Sequence, residues 1–295
     1  MIFDANDPRN QSQGVGFSLG LGTCVVEEHD SKTMSQIEPN MNVPAPESVA
    51  PETEVNAGLP LAPRNGTPGV VTSEEIQMIF ESRGTIAEQF RALRNSITAL
   101  NPDGAPRTIV IASAVEGEGK TVAAINLAIA LAELPGNQVL LVDANLHDPA
   151  VESYFGDECY RGLADILSGN CMLDAAIQTT SIPNVSIMSA GELPDNPSKM
   201  MGSERTRVVL NNLKQRFSYV LIDTPAVLSC GDASQLGALA DGIILVVKMG
   251  DTAKHLVEQT YNQLETLGGN VLGTCLTSGR SGTLKKSKKK KKRRK

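Results

Sequence analysis

The sequence has no cysteine pair at zinc-site spacing. Its five cysteines, Cys24, Cys159, Cys171, Cys230 and Cys275, are odd in number and scattered. A reducing compartment without structural disulfides is the reading that follows. No apolar run approaches the roughly 20 residues needed to cross a bilayer. The first residues, MIFDANDPRNQ, are polar and acidic, unlike a secretory leader. These absences predict a cytoplasmic protein and leave peripheral attachment to a membrane open. Positive charge is also scarce outside one place. The formal net charge is −6, yet ten of the 27 Lys and Arg lie in the last eleven residues, KKSKKKKKRRK. The other 17 face 33 Asp and Glu, so the body is acidic and ill suited to coating nucleic acid with its folded surface.

Residues 1–70 show no sustained hydrophobic period and are rich in Pro, Gly, Ser, Asn and Glu, as in NVPAPESVAPETEVNAGLPLAPRNGTPG. Such a segment buries too little apolar surface to offset its ordering entropy. The composition therefore predicts three parts: a disordered acidic arm at 1–71, a folded domain at 72–283 and a disordered polybasic tail at 284–295. Within the arm, GVGFSLGLGTCVV (14–26) reads either as floppy chain or as a short docking element.

Thr72 and Glu75 have capping-box spacing ahead of IQMIF, which marks the start of order. Over Thr85–Leu100, Phe90, Leu93, Ile97 and Leu100 recur every three or four residues, as an amphipathic helix requires. Strands and helices then alternate. TIVIAS (108–113), VLLVDA (139–144), VSIMSA (185–190), YVLIDTP (219–225), GIILVVKM (242–249) and NVLGTCLT (270–277) read as strands. TVAAINLAIALAEL, RGLADILSG, residues 203–216, DASQLGALA and TAKHLVEQTYNQLETL read as the helices between them. Continuous apolar strands separated by helices predict an α/β fold with a mainly parallel sheet covered on both faces.

The turn between the first such strand and its helix is Ala114-Val115-Glu116-Gly117-Glu118-Gly119-Lys120-Thr121. Gly-x4-Gly-Lys-Ser/Thr is the phosphate-binding pattern, and Ala114 departs from it by one methyl group. Strand before and helix after are the setting a phosphate cradle needs, because backbone N–H groups and the helix N-terminus converge there. Residues Glu116–Thr121 are thus candidates to hold ATP. Lys120 would reach the β and γ phosphates, and the Thr121 hydroxyl would sit on Mg²⁺. Two apolar strands also end in aspartate, at Asp143 and Asp223. A carboxylate at the end of a buried strand is costly unless it is paired or serves an ion, and ligands of open α/β sheets bind at those ends. Asp223 is the candidate Mg²⁺ ligand, and Asp143 a second anchor for Mg²⁺ or its water shell.

Across Gly84–Ser278 the chain resembles the bacterial tyrosine kinase family of capsule and exopolysaccharide synthesis. Eight segments carry the resemblance in register: EQFRALRNSI (88–97), TIVIASAVEGEGKT (108–121), VLLVDANLHDP (139–149), GLADILSG (162–169), NVSIMSAGELPDNPSKMMGS (184–203), YVLIDTPAVLSCGDA (219–233), DGIILVVKMGDT (241–252) and VLGTCLT (271–277). These are P-loop NTPases of the deviant-Walker group, together with the MinD and ParA ATPases. The resemblance implies Mg-ATP held at Lys120, Thr121, Asp143 and Asp223. It also implies a membrane-embedded polysaccharide co-polymerase as activator, and a ring-like homo-oligomer touching through Glu88, Arg91 and Arg94. Three residues apart, those side chains share one helical face; solvated charge with local ion pairs is the competing reading.

Two departures qualify what the resemblance implies. The family's Asp-x-Asp-x-Arg would place a second aspartate at 145 and an arginine at 147, where this chain has Asn145 and His147. That aspartate is the family's candidate to activate a tyrosine hydroxyl. Asn lacks a basic site of comparable strength. The family's C-terminal tyrosine cluster is also missing, since the four tyrosines are Tyr154, Tyr160, Tyr219 and Tyr261. Three functions remain in view: a tyrosine kinase homologue serving polysaccharide synthesis or export, an ATP-dependent regulatory subunit without phosphotransfer, and a partitioning-type ATPase with its tail on DNA. Val115 stands where the last group has a signature lysine. The tail suits an anionic membrane surface, worth about 1 kcal/mol per basic residue close to the bilayer.

Overall fold

The computed structural model describes residues 15–19, 22–26, 71, 73–105, 107–156, 161–194 and 196–278. In chain order the elements begin with strands β1 (Val15–Leu19) and β2 (Gly22–Val26), helices α1 (Gln77–Phe80) and α2 (Thr85–Ala99), β3 (Arg107–Ser113) and α3 (Lys120–Ala132). Next come β4 (Val139–Asp143), α4 (Val151–Phe155), α5 (Leu163–Ser168), α6 (Leu173–Ala176), β5 (Gln178–Thr179), β6 (Val185–Met188) and α7 (Pro197–Met201). The last are α8 (Glu204–Lys214), β7 (Tyr219–Asp223), α9 (Asp232–Leu239), β8 (Gly242–Met249), α10 (Lys254–Thr266) and β9 (Val271–Ser278).

All nine strands form one sheet in the order β1-β2-β9-β8-β3-β7-β4-β6-β5. The six strands from β9 to β6 are parallel, and β5 and the β1–β2 pair add antiparallel edges. The apolar runs divide their side chains between two cores, as the period of two requires. Ile109, Ile111, Leu141 and Leu221 join the core under α2 and α3. Val110, Ala112, Val142, Val220 and Ile222 join the core under α5, α8 and α9. Helix α3 is buried almost all round because α2 covers its outer side with Ala87, Phe90, Leu93 and Ile97. The three large side chains contribute about 1.5–3 kcal/mol each by burial.

Two expectations need correction. Residues 15–19 and 22–26 are not featureless arm: β1 and β2 pair antiparallel, and Cys24 and Val25 of β2 pair with Cys275 and Thr274 of β9. An uncovered strand edge presents unpaired N–H and C=O groups, and a short hairpin satisfies them. The rest of 1–70 and the tail after 278 lie outside the described residues, as does Thr72. Order after the arm starts with a turn and the single-turn α1, because the Ile76 N-cap has no side-chain capping bond. Four short elements, α4, α6, β5 and α7, were not legible as periodic runs.

The order of the sheet places the site. Strand β3 lies between β8 and β7, and β4 lies beyond β7. The loop after β3 and the carboxyl ends of β7 and β4 are therefore side by side, with Asp143 and Asp223 in register.

Candidate nucleotide and metal site

The glycine loop takes its shape from two residues in the left-handed region, Gly117 at φ 76° and Gly119 at φ 88°. A side chain at either would be strained. A Cβ at Gly117 would meet nothing within 4 Å, so the space beside the loop is open there. Ala114 does not need glycine. The single described non-glycine residue with positive φ is Asn184. Ala114 is fully buried, and its carbonyl accepts from Leu228 N–H at 3.3 Å. The missing first glycine therefore leaves the loop's geometry intact.

Lys120 opens α3 with its Nζ 3.2 Å from Glu116 Oε2, and its side chain is only 7% exposed. Glu116 Oε1 accepts from Ala226 N–H at 2.9 Å, joining the loop to the segment after β7. Burial opposes ionisation of Glu116, but the Ala226 N–H and the Lys120 ammonium outweigh it and hold the carboxyl below its usual range. Glu118 faces inward instead of toward the loop's open side. Its Oε2 accepts from Val115 N–H at 2.9 Å and its Oε1 from Lys248 N–H at 3.1 Å, with Thr252 also donating. Its carbonyl accepts from Thr277 Oγ1 at 2.7 Å. The Glu118 side chain is thus a strut, and it is the backbone that can face a phosphate.

Thr121 Oγ1 donates to Asp223 Oδ2 at 2.5 Å. Asp223 Oδ1 is buried and has no hydrogen-bond partner among the described residues. Burial first, then the charge of Asp143, push the Asp223 carboxyl up to about 7, against the Thr121 hydroxyl and Lys120. An oxygen left bare beside a hydroxyl and a second carboxyl fits a hard divalent cation. Together with the open glycine loop and Lys120, these residues fit Mg²⁺ and a triphosphate.

Asp143 is more committed. Oδ1 accepts from Asn145 N–H at 3.0 Å, and Oδ2 accepts from Ala150 and Val151 N–H, each at 2.9 Å. Burial raises this carboxyl to about 6, with the three N–H groups pulling down and Glu152 pushing up. Asp143 therefore shapes the loop after β4 as well as lining the metal side. Asn145 is turned into the same loop: Nδ2 donates to the Asp148 carbonyl at 2.7 Å, and Oδ1 accepts from Asp148 N–H at 3.3 Å. In this arrangement Asn145 braces a turn, with its amide bonded to both backbone groups of Asp148.

The Glu88, Arg91 and Arg94 face lies against the end of α3. Arg91 forks onto Glu133, Nε to Oε2 at 2.8 Å and Nη2 to Oε1 at 2.5 Å, and also reaches Glu88 and the Ser82 carbonyl. Arg94 Nη1 meets Glu133 Oε2 at 3.0 Å and the Ala130 carbonyl at 3.2 Å. Both arginines are thus paired within the chain, and the partner, Glu133, was not anticipated. Tyr154 donates to Glu75 at 3.3 Å; burial, then Glu75, push its hydroxyl up to about 12. Tyr160 lies outside the described residues. Each of Glu116, Glu118 and Glu133 also has partners distant in sequence, namely Ala226, then Lys248 with Thr252, then Arg91 with Arg94, and these no local pattern reveals.

Residues 106–272, which include the glycine loop and both strand-end aspartates, match the family model described as an AAA domain. Tyrosine-protein kinase YwqD of Bacillus subtilis is 31% identical over 196 residues, spanning 66% of this chain and 82% of that protein. The kinase domain of Escherichia coli tyrosine kinase ETK is similar with a TM-score of 0.67 and 26% identity, covering 75% of this chain and 85% of that one. The septum site-determining protein MinD from Pyrococcus horikoshii, solved with Mg-ADP, has a TM-score of 0.51 and 30% identity, over 58% of this chain and 70% of that one.

Proposed function

We propose, because this chain belongs to the bacterial tyrosine kinase family of capsule and exopolysaccharide synthesis and has the P-loop NTPase fold of the MinD group, that it binds Mg-ATP at 114–121 and thereby regulates polysaccharide synthesis or export. The observation that carries this reading is the Thr121–Asp223 pair, with one carboxylate oxygen bare beside it. Backbone N–H groups of Gly117–Lys120 would surround the phosphates, and Lys120 would exchange Glu116 for their oxygens. Thr121 and Asp223 would hold Mg²⁺, with Asp143 toward its water shell. Bound Mg²⁺ would neutralise phosphate charge and fix the γ-phosphate's direction. The setting we propose is cytoplasmic and peripheral at the inner membrane. There a membrane-embedded co-polymerase activates a homo-oligomer with Glu88, Arg91 and Arg94 at its contact, and the basic tail meets anionic lipid.

A second reading, an ATP-dependent regulatory subunit without phosphotransfer, is favoured by one observation: the Asn145 amide is held by the Asp148 backbone and is not a base. The test is calorimetry with Mg-ATP on the full chain and on Lys120→Ala, followed by γ-labelled ATP with Asn145→Asp in parallel. Binding heat in the parent and none in Lys120→Ala is the expected result. Phosphotyrosine in the parent supports kinase activity, and phosphotyrosine only in Asn145→Asp supports the second reading. No binding heat in the parent removes both.

A further inference from the structure

The loop after β4 and the loop after β7 meet at a cluster that the nucleotide reading does not use. His147 Nε2 lies 3.0 Å from Asp232 Oδ2. One donor atom each from His147, Cys230 and Asp232 lies within 4.8 Å of the other two. We propose that these three side chains form a second metal site, for a borderline transition ion of the Zn²⁺ class, which clamps the two loops together.

The donor chemistry selects the ion. Imidazole, thiolate and carboxylate suit Zn²⁺ or Co²⁺, whereas Mg²⁺ prefers oxygen donors. Three protein ligands leave a fourth position for water. Bonds of about 2.0–2.3 Å put tetrahedral donor atoms roughly 3.5 Å apart. The donor atoms already lie within 4.8 Å of one another, so small side-chain rotations bring them to that spacing, and the His147 side chain is 43% exposed. That exposure also gives an ion a way in. An ordinary His–Asp pair accounts for less. Asp232 is wholly buried at the start of α9, and its Oδ1 has no hydrogen-bond partner among the described residues. A protonated imidazole answers the carboxylate alone, whereas a cation among the three donors engages both the carboxylate and the Cys230 sulfur that lies against it.

Burial, followed by the nearby Asp232 and Glu116 charges, raises the Cys230 thiol against the pull of the Asp232 N–H. The metal-free thiol is therefore protonated at neutral pH. Metal binding sends that proton to solvent and uses a ring-nitrogen lone pair of His147; nothing is oxidised or reduced. The site rests on these side chains and not on the nucleotide reading. Its consequence reaches that site, because the tied loops follow Asp143 and Asp223 directly.

The experiment takes chelator-stripped full chain and titrates Co²⁺ alone, with Mg²⁺ in excess to occupy oxygen sites. One cobalt per chain, a thiolate-to-cobalt charge-transfer band and its displacement by Zn²⁺ are expected. Cys230→Ser abolishes the band, and Cys230→Ser and His147→Ala each weaken binding by about tenfold to a hundredfold. His147→Ala also takes a partner from the buried Asp232 carboxylate and should lower the metal-free thermal midpoint, so its titration is run well below that midpoint, where the chain is folded and a loss of affinity reports ligation. Absence of the band, a band undiminished in Cys230→Ser, or parental affinity in His147→Ala would overturn the proposal.

Discussion

Replacing Asp223 by Asn removes one charge from a side chain that is 1% exposed and in register with Asp143 on the neighbouring strand. Burial and that neighbour raise the carboxyl from 3.8 to about 7. The sign follows from linkage. A carboxyl whose pKa is higher in the folded state favours the fold fully below about 4, and that contribution is lost as pH rises through 7. At pH 8 the ionised group disfavours the fold by roughly 4 kcal/mol if the shift is taken in full. Relaxation and Lys120 reduce this, and Asn brings an amide N–H to a place without an acceptor, costing about 1–2 kcal/mol. The oxygen accepting from Thr121 is retained. Without nucleotide, Asp223→Asn should therefore be more stable than the parent by about 1–3 kcal/mol at pH 8. At pH 5 the advantage should disappear, because the parent is then protonated. Saturating Mg-ATP should stabilise the parent by about 2.7 kcal/mol at a hundred times the dissociation constant, and the variant hardly at all. Urea denaturation at both pH values, with and without Mg-ATP, reads all four quantities. A variant less stable than the parent at pH 8, or one that keeps the full Mg-ATP stabilisation, would refute the assignment of the bare oxygen to a metal.

Two further substitutions probe the scaffold. Glu133→Ala removes the shared acceptor of Arg91 and Arg94 and should cost about 1 kcal/mol after solvent screening, lowering the melting temperature by about 2–4 °C. An unchanged melting temperature would mean that α2 is held to α3 by apolar packing alone. Gly119→Ala meets Thr277 Cγ2 at an ordinary 3.7 Å, so its cost is the φ of 88°, about 1–2 kcal/mol, together with a distorted cradle. Wild-type affinity for Mg-ATP in that variant, by calorimetry, would show that the loop does not require this backbone shape.

The parallel sheet was legible because each inner strand is a continuous apolar run bounded by turns, and such runs are buried on both faces. GIILVVKM is β8 from end to end. The glycine loop was legible for a related reason, since a turn carrying Gly117, Gly119, Lys120 and Thr121 has few other uses between a strand and a helix. The β1–β2 strand pair was not legible, because its reason to form is the open edge of β9, which lies about 250 residues away. Helices α4, α6 and α7 span four or five residues, less than the period needed to reveal a face. The sequence likewise suggested ligands where the fold uses struts. Glu118 sits in a phosphate-binding motif, yet its carboxylate is spent on Val115, Lys248 and Thr252. Arg91 and Arg94 close on Glu133 within the chain, and their place at an oligomer contact remains part of the proposed function.

Asn145 brings the structural and functional readings together. Its amide makes a bond that a carboxylate cannot make, because Nδ2 donates to the Asp148 carbonyl while Oδ1 receives the Asp148 N–H. An aspartate there would set a lone pair against that carbonyl and would have to leave the turn. Asp143 fastens both ends of the same loop, through Asn145 N–H on one side and Ala150 and Val151 N–H on the other. An acidic residue released at 145 would then be a third carboxylate near Asp143 and Asp223, both already raised by burial. Such a charge is tolerable with a divalent cation present and unfavourable without one. Asn145 thus keeps the loop closed and the site less crowded without metal, and on the proposed reading it does so by giving up the base. On that reading the closed loop and the lack of a base at position 145 have the same origin.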